Sequence, residues 1–138
     1  MEIQLIKTDA QFEFTATNNQ AVLPICASPS LGAVQNGFRP MELLLVSLAS
    51  CLSIDVLTIL YKQKQDISKY TVKVSATRKE SEPPVFENIV VSLYVWGTVS
   101  ELKLDKALAL TKEKYCSVYH ILKPTAHIQT QYFLNHEQ

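Results

Sequence analysis

The sequence has only three glycines, no excess of charge of either sign and no long uncharged apolar run. Its 13 Lys and Arg balance 13 Asp and Glu in a chain of 138 residues, of which 47% are apolar. Without a basic stretch, neither nucleic acid nor an anionic membrane surface is an expected partner. The apolar content excludes a disordered chain, and the length predicts a single domain over residues 1–138.

A secretory leader and a membrane span are not predicted either. The first residues, Met-Glu-Ile-Gln, have neither a basic region nor an apolar one. The longest uncharged apolar stretch covers residues 43–54, and spanning a bilayer takes roughly 20. Three cysteines without a leader predict free thiols in a reducing compartment, which by default is the cytoplasm.

The common nucleotide-binding and hydrolase motifs are missing, namely the P-loop, GxGxxG and GxSxG. There is no CxxC and no HxxxH. Cys116 and His120 have the spacing of two ligands on one helix, but His127 and His136 fall on or after a strand pattern. No metal and no cofactor are predicted.

What the sequence does contain is a succession of strand and helix patterns. Period-two alternation or short apolar runs predict strands near residues 12–14, 21–25, 70–77, 86–96 and 126–134. Residues 28–37 read as a loop. Helices are predicted over residues 40–65 and 101–114, the second with Ser100 as N-cap and followed by a short turn from Ser117. This order is typical of an α+β fold.

The first predicted helix is apolar on nearly every side. Such a helix must be covered in several directions, and a chain of this size has little material for that. A partner subunit is the simplest solution, so we expect a homodimer.

Cys51 lies in this helix, on one stripe with Ser47 and Asp55. Two interpretations stay open: a small packing residue, or a reactive thiol with polar neighbours. Cys116 precedes the predicted turn, where free N–H groups would favour a thiolate, although an ordinary half-buried cysteine also fits. Cys26 has no motif around it and is interpreted as packing.

Arg39 and Glu42 stand at the start of the same helix. Glu42 lies about 180° round an ideal helix from Cys51, which favours a role at the helix N-terminus or in a pair with Arg39. Arg39 is either a surface residue or a cation that stabilises a thiolate or binds an acidic group.

Two motifs, taken together, are specific enough to indicate a protein family. The first runs from Pro-Met-Glu-Leu at residue 40 through Ser-Leu-Ala-Ser-Cys to Cys51, with Asp55 four residues later and Lys-Gln-Lys-Gln-Asp at the helix end. The second is Lys-Tyr-Cys-Ser-Val around Cys116. Both resemble the OsmC/Ohr family of osmotically inducible and organic hydroperoxide resistance proteins, and most of all its YhfA-like branch. The resemblance covers most of the chain, from about residue 30 to residue 134.

The resemblance implies an OsmC-like fold, in which antiparallel sheets wrap around long central helices in an intertwined homodimer. It also implies thiol-dependent reduction of organic hydroperoxides. Cys51 would attack the peroxide and become a sulfenic acid, and Cys116 would resolve it as a disulfide. A small dithiol or a lipoylated protein would then reduce that disulfide.

The sequence departs from the active members of that family at two places. They carry an arginine in the N-terminal strand region and a glutamate directly after the proline. Here residues 1–38 contain no arginine, and Met41 follows Pro40. Arg39 and Glu42 are the candidate substitutes, and they complete the predicted site with Cys51 and Cys116. The rival hypothesis is a non-catalytic or redox-sensing protein that binds an apolar acyl or lipoyl-like ligand at the dimer interface.

Overall fold

The computed structural model describes residues 1–33 and 37–136, and the chain forms two compact units, Met1–Val46 and Ser47–Gln138. Groups of strands, which form two sheets, are separated by helices, which confirms the predicted α+β class. Whether the two units act as one domain over residues 1–138 stays a prediction.

The N-terminal unit contains a small antiparallel sheet. Its strands are β1 (Gln4–Lys7), β2 (Glu13–Thr17) and β3 (Val22–Cys26), in the order β1-β2-β3. Asn18 makes the turn before β3, because its side-chain oxygen accepts from the N–H groups of Gln20 and Ala21. β3 is an edge strand, as its proline predicts. The predicted loop over 28–37 contains a short 3-10 turn at Pro29–Leu31, and its residues 34–36 lie outside the described residues.

The first helix, α1 (Pro40–Lys62), begins at the predicted residue and ends close to the predicted end. Lys64, with a φ of 56°, reverses the chain into the next strand. By length and composition alone α1 is able to cross a membrane, with a mean hydropathy of 2.3. The sequence did not predict a membrane span because its longest uncharged stretch ends before Asp55. One or two charged residues, however, do not exclude a span. The core helix of a soluble protein has the same features, so the observation is weak support for a membrane location.

The C-terminal unit is built on a second sheet. β4 (Asp66–Arg78) and β5 (Phe86–Thr98) form a long antiparallel hairpin, and β6 (His127–Leu134) pairs with β5 in parallel. The other strand pairs are antiparallel, as the resemblance implied, and this parallel pair is the exception. The reason is the connection: a helical crossover joins β5 to β6, and such a crossover is what parallel neighbours require.

Gly97 lies just past the predicted end of this strand at residue 96, but β5 continues through it to Thr98. Its φ is 136°, and a Cβ atom there would collide with the backbone of Asp66 on the neighbouring strand. Glycine is needed here for close approach of the two backbones rather than to stop the strand.

The core lies in the C-terminal unit. Alternate residues of β5 are fully buried, as are every fourth residue of α1 from Leu48 on and several residues of the next helix; these are Ile89, Val91, Leu93, Val95, Leu48, Leu52, Val56, Leu60, Leu104 and Ala107. The spacing of two in the strand and of four in the helix is what one buried face requires of each element.

The crossover between β5 and β6 has three parts. Helix α2 (Glu101–Leu110) is followed by a π turn (Thr111–Tyr115) and then by the short helix α3 (Ser117–Leu122). The predicted helix over 101–114 is thus α-helical only in its first two thirds. Ser100 is the N-cap residue as predicted, but its side chain makes no capping hydrogen bond.

Candidate functional site

Cys51 lies at the border between the buried and the exposed faces of α1. It directly precedes Leu52, and Asp55 directly precedes Val56, both of which are fully buried. The polar stripe predicted from the sequence therefore runs beside the buried stripe, and Cys51 and Asp55 are both half-buried. A thiol in this position is held by the core yet can still be reached.

Cys116 makes hydrogen bonds to backbone groups that come before and after it in the chain. Its N–H donates to the carbonyl of Thr111 at 2.9 Å across the π turn. It is the N-cap residue of α3, where its Sγ accepts from the N–H of Tyr119 at 3.4 Å. The side chain is fully buried. A π turn inside or next to an α-helix is rare and frequently marks a functional position.

The structure brings Cys51, Asp55 and Cys116 together. The two Sγ atoms and a carboxylate oxygen of Asp55 all lie within 4.8 Å of one another. The predicted approach of the two cysteines is confirmed at the level of their sulfur atoms. We call these three residues the thiol–carboxylate cluster.

The electrostatics of the cluster differ from the sequence-based expectation. Burial, together with a hydrogen bond to Cys51, raises the pKa of the Cys116 thiol to about 12, and the negative charges of Cys51 and Asp55 act in the same direction. The N–H of Tyr119 lowers this pKa, as expected of a helix N-terminus, but its effect is smaller. Of the two interpretations open for Cys116, the thiolate is disfavoured, because burial outweighs one N–H group.

Asp55 is the residue whose importance the sequence understated. Its pKa is raised by burial, and its Oδ2 atom has no hydrogen-bond partner among the described residues. Spacing placed it on the Cys51 stripe, but nothing in the sequence showed that Cys116 would face the same carboxylate. A half-buried carboxylate with an unused oxygen beside two thiols is available to a proton or a cation.

A cleft of about 410 Å³ opens beside the cluster, with Asp55 in its wall. The wall also includes the cation of Lys62 and the ring of Tyr115; the remaining lining residues are Thr58, Ile59, Gln63 and Leu110. This volume is within the range of small-molecule sites. The cleft therefore gives a small ligand access to one member of the cluster.

Arg39 and Glu42 belong to the N-terminal unit and contact each other. Arg39 Nη2 lies 3.0 Å from Glu42 Oε1, and Glu42 Oε2 accepts from the backbone N–H of Arg39 at 2.9 Å. This is the helix N-terminal pairing that the sequence favoured for Glu42. Their predicted role towards Cys51 stays a prediction.

Two other candidates from the sequence, Cys26 and His120, contact backbone carbonyl groups. The thiol of Cys26, in the N-terminal unit, donates to the carbonyl of Gly37 at 3.1 Å, in keeping with a packing role. A ring nitrogen of His120 lies 3.2 Å from the carbonyl oxygen of Glu113. Among the described residues, the group of three side chains that could hold a metal contains Cys116 but not His120.

Comparison with known proteins agrees with the resemblance seen in the motifs. The family model described as OsmC-like protein matches residues 33–131. The protein YhfA of Escherichia coli (strain K12) is 35% identical over 94 residues, which is 67% of this chain and 70% of YhfA.

Solved structures extend the likeness to the whole chain. A hypothetical protein from Aquifex aeolicus VF5 superposes with a TM-score of 0.86 at 29% identity, covering 99% of this chain and 97% of that one. An organic hydroperoxide resistance protein from Elizabethkingia anophelis superposes with a TM-score of 0.72, covering 96% of this chain and 94% of that one. At 12% identity the second likeness concerns the fold alone.

Proposed function

The chain belongs to the OsmC-like protein family, and from this premise we propose that it reduces organic hydroperoxides with its Cys51–Cys116 pair. OsmC/Ohr proteins form a family of redox proteins. The observation that carries the proposal is the thiol–carboxylate cluster, in which two free thiols lie within 4.8 Å of each other and of Asp55.

Burial supports the order in which the two cysteines react. Cys51 is half-buried and Cys116 is fully buried, so Cys51 is the thiol that a peroxide meets first. The Cys51 thiolate attacks one peroxide oxygen, the O–O bond breaks, and the alcohol leaves after taking a proton. The product is a sulfenic acid at Cys51.

Cys116 then attacks the sulfur of that sulfenic acid. A sulfur–sulfur bond forms as the sulfur–oxygen bond breaks, and the thiol proton passes through a base to the leaving hydroxyl group, which departs as water. Because the pKa of Cys116 is about 12, a nearby proton acceptor is needed at neutral pH, and the Asp55 carboxylate lies within reach. A dithiol or a lipoylated protein reduces the disulfide and completes the cycle.

The test is consumption of cumene hydroperoxide in the presence of dithiothreitol. Cys51→Ser abolishes turnover, and Cys116→Ser allows one turnover and leaves a Cys51 sulfenic acid that dimedone traps. Cys26→Ser is the matched control, a buried free cysteine of the N-terminal unit, and keeps the wild-type rate. Equal slow consumption by wild type and Cys51→Ser would rule the proposal out in favour of the ligand-binding alternative.

That alternative has one observation in its favour, which is the cleft beside Asp55. An apolar acyl or lipoyl-like ligand would bind there without turnover. Saturable binding of lipoamide to wild type and to Cys51→Ser alike, with no peroxide consumption by either, would establish it.

We also propose the homodimer that the sequence predicts. Helix α1 carries large apolar side chains that are exposed in the single chain, with Ile54 at 65% and Tyr61 at 58% exposure. They are seven residues apart and so share a face. Ile54→Asp should give monomer or aggregate in sedimentation velocity, whereas wild type sediments as a dimer. A monomeric wild type at micromolar concentration contradicts the proposal.

Cytoplasmic location stays a prediction for this family of soluble proteins.

A further inference from the structure

We propose that the reduced thiol–carboxylate cluster is a zinc-binding site, with Cys51, Asp55 and Cys116 as its three protein ligands. The sequence predicted no metal: only Cys116 and His120 were weighed as a ligand pair, although Cys51 and Asp55 have the same spacing on the first helix. The three residues come from two separate elements, α1 and the start of α3, so their meeting is a property of the fold. The inference is independent of peroxidase activity.

The ligand atoms of the cluster suit zinc in number, kind and spacing. Two thiolates and one carboxylate oxygen are ligands that zinc accepts, and thiolates select it over magnesium and calcium. With Zn–S bonds of about 2.3 Å, two sulfurs on a tetrahedral zinc are about 3.8 Å apart. The three ligand atoms already lie within 4.8 Å of one another, so a shift of about 1 Å or less brings the two sulfurs to this separation.

Two further observations point to a ligand at this place. Asp55 Oδ2 has no hydrogen-bond partner among the described residues, although it is shielded from solvent. Cys116 is fixed by three backbone hydrogen bonds, through its N–H, its Sγ and its carbonyl oxygen, which accepts from the N–H of His120. A ligand held this firmly loses little freedom when the metal binds.

When zinc binds, the ion replaces the protons of the two thiols. Two sulfur–metal bonds and one oxygen–metal bond form, and the two thiol protons leave to the solvent. Three protein ligands leave a fourth position for water or for a small ligand from the cleft, the arrangement of open rather than structural zinc sites. A disulfide between Cys51 and Cys116 removes two of the three ligands, so oxidation and zinc binding exclude each other.

Cobalt(II) added to reduced, desalted protein under nitrogen is the first probe. We expect one equivalent to bind with the strong visible bands of a tetrahedral site and an ultraviolet thiolate-to-cobalt band, and zinc should displace it. Cys51→Ala, Cys116→Ala and Asp55→Asn should each weaken zinc binding by about 100-fold or more. Losing a residue that only hydrogen-bonds to a metal ligand already weakens binding by about 10- to 100-fold, and losing a ligand should weaken it more. Cys26→Ser is the control and should bind like wild type.

The second measurement guards against variants that fail to fold. Circular dichroism establishes that each variant is folded, and zinc should raise the melting temperature of wild type and of Cys26→Ser but not of Asp55→Asn. Diamide-oxidised wild type should bind no cobalt. The proposal is overturned if reduced wild type binds neither ion at micromolar concentration. It is also overturned if folded Asp55→Asn and Cys116→Ala bind zinc as tightly as wild type.

Discussion

The two units of the chain each hold a buried cysteine in a different setting. In the N-terminal unit all of β1 is exposed and β2 is half-buried throughout, whereas in β5 of the C-terminal unit Ile89, Val91, Leu93 and Val95 have no exposed surface. The N-terminal sheet has no comparable run of buried side chains. The cluster therefore lies in the unit that has its own core, where its geometry can be held constant.

The two buried cysteines sharpen this contrast. Cys26 and Cys116 have nearly equal exposure, at 3% and 0%. Cys26 donates to one backbone carbonyl, while Cys116 faces a second thiol and a carboxylate. Burial alone says nothing about reactivity; the neighbouring titratable groups decide it.

The largest effect should come from a matched pair of leucines, one in each sheet. Leu93→Ala in β5 removes a fully buried side chain, and Leu5→Ala in β1 removes one that is 56% exposed. We expect a loss of about 2–5 kcal/mol in the free energy of unfolding for the first and less than about 0.5 kcal/mol for the second. Urea denaturation measures both. A large loss for Leu5→Ala would mean that another surface covers β1 in solution.

The second prediction compares the two buried thiols directly. With a pKa of about 12, only about 10⁻⁴ of Cys116 is thiolate at pH 8, so iodoacetamide should modify it slowly. Asp55→Asn removes a negative charge that raises this pKa, so alkylation of Cys116 should become roughly three-fold faster or more. Peptide mass spectrometry reports each cysteine separately, and the rate at Cys26 should not change. An equal acceleration at both would indicate loosening of the fold.

The third prediction concerns stability against pH. Burial raises the pKa of Asp55 above its ordinary value of 3.8, so the folded protein binds this proton more tightly than the unfolded chain does. The resulting stabilisation is complete below pH 3.8 and is lost as pH rises through the raised pKa. Asp55→Asn should therefore be more stable than wild type at pH 7, and the difference should shrink towards pH 4. Urea midpoints at both pH values check it; a difference of the opposite sign would show that the charged carboxylate stabilises the fold.

The smallest effect should come from the ion pair of the N-terminal unit. Arg39 and Glu42 are largely exposed, with 48% and 42% of their side-chain surface accessible. Arg39→Ala should cost less than about 1 kcal/mol of stability, and 1 M NaCl should reduce the difference. The same variant tests the predicted role of Arg39 in activating Cys51, since a slower peroxide reaction at neutral pH with unchanged stability would support that role.

The sequence predicted those parts of the fold that local patterns encode. The alternation in β4 and the apolar residues on nearly every side of α1 predicted these elements within a few residues of their ends. The family resemblance supplied the approach of Cys51 and Cys116. Helix spacing alone placed Asp55 beside Cys51.

The rest depends on contacts between distant segments. The parallel pairing of β6 with β5 leaves no local trace in either strand, because both directions need the same alternation. The π turn has the composition of an ordinary helix end. The high pKa of Cys116 results from burial by groups that are distant in sequence, so only the assembled unit reveals it.

The π turn also makes chain length itself a constraint. A π turn closes its hydrogen bond one residue later than an α turn, and the Cys116 N–H to Thr111 carbonyl bond spans this wider loop. Each residue in a helix rotates its successors by about 100°. A substitution between 111 and 115 leaves that rotation intact, but deletion of any one residue would turn Cys116 away from α1. Among homologous sequences, gaps should therefore be rarer in this stretch than amino-acid changes.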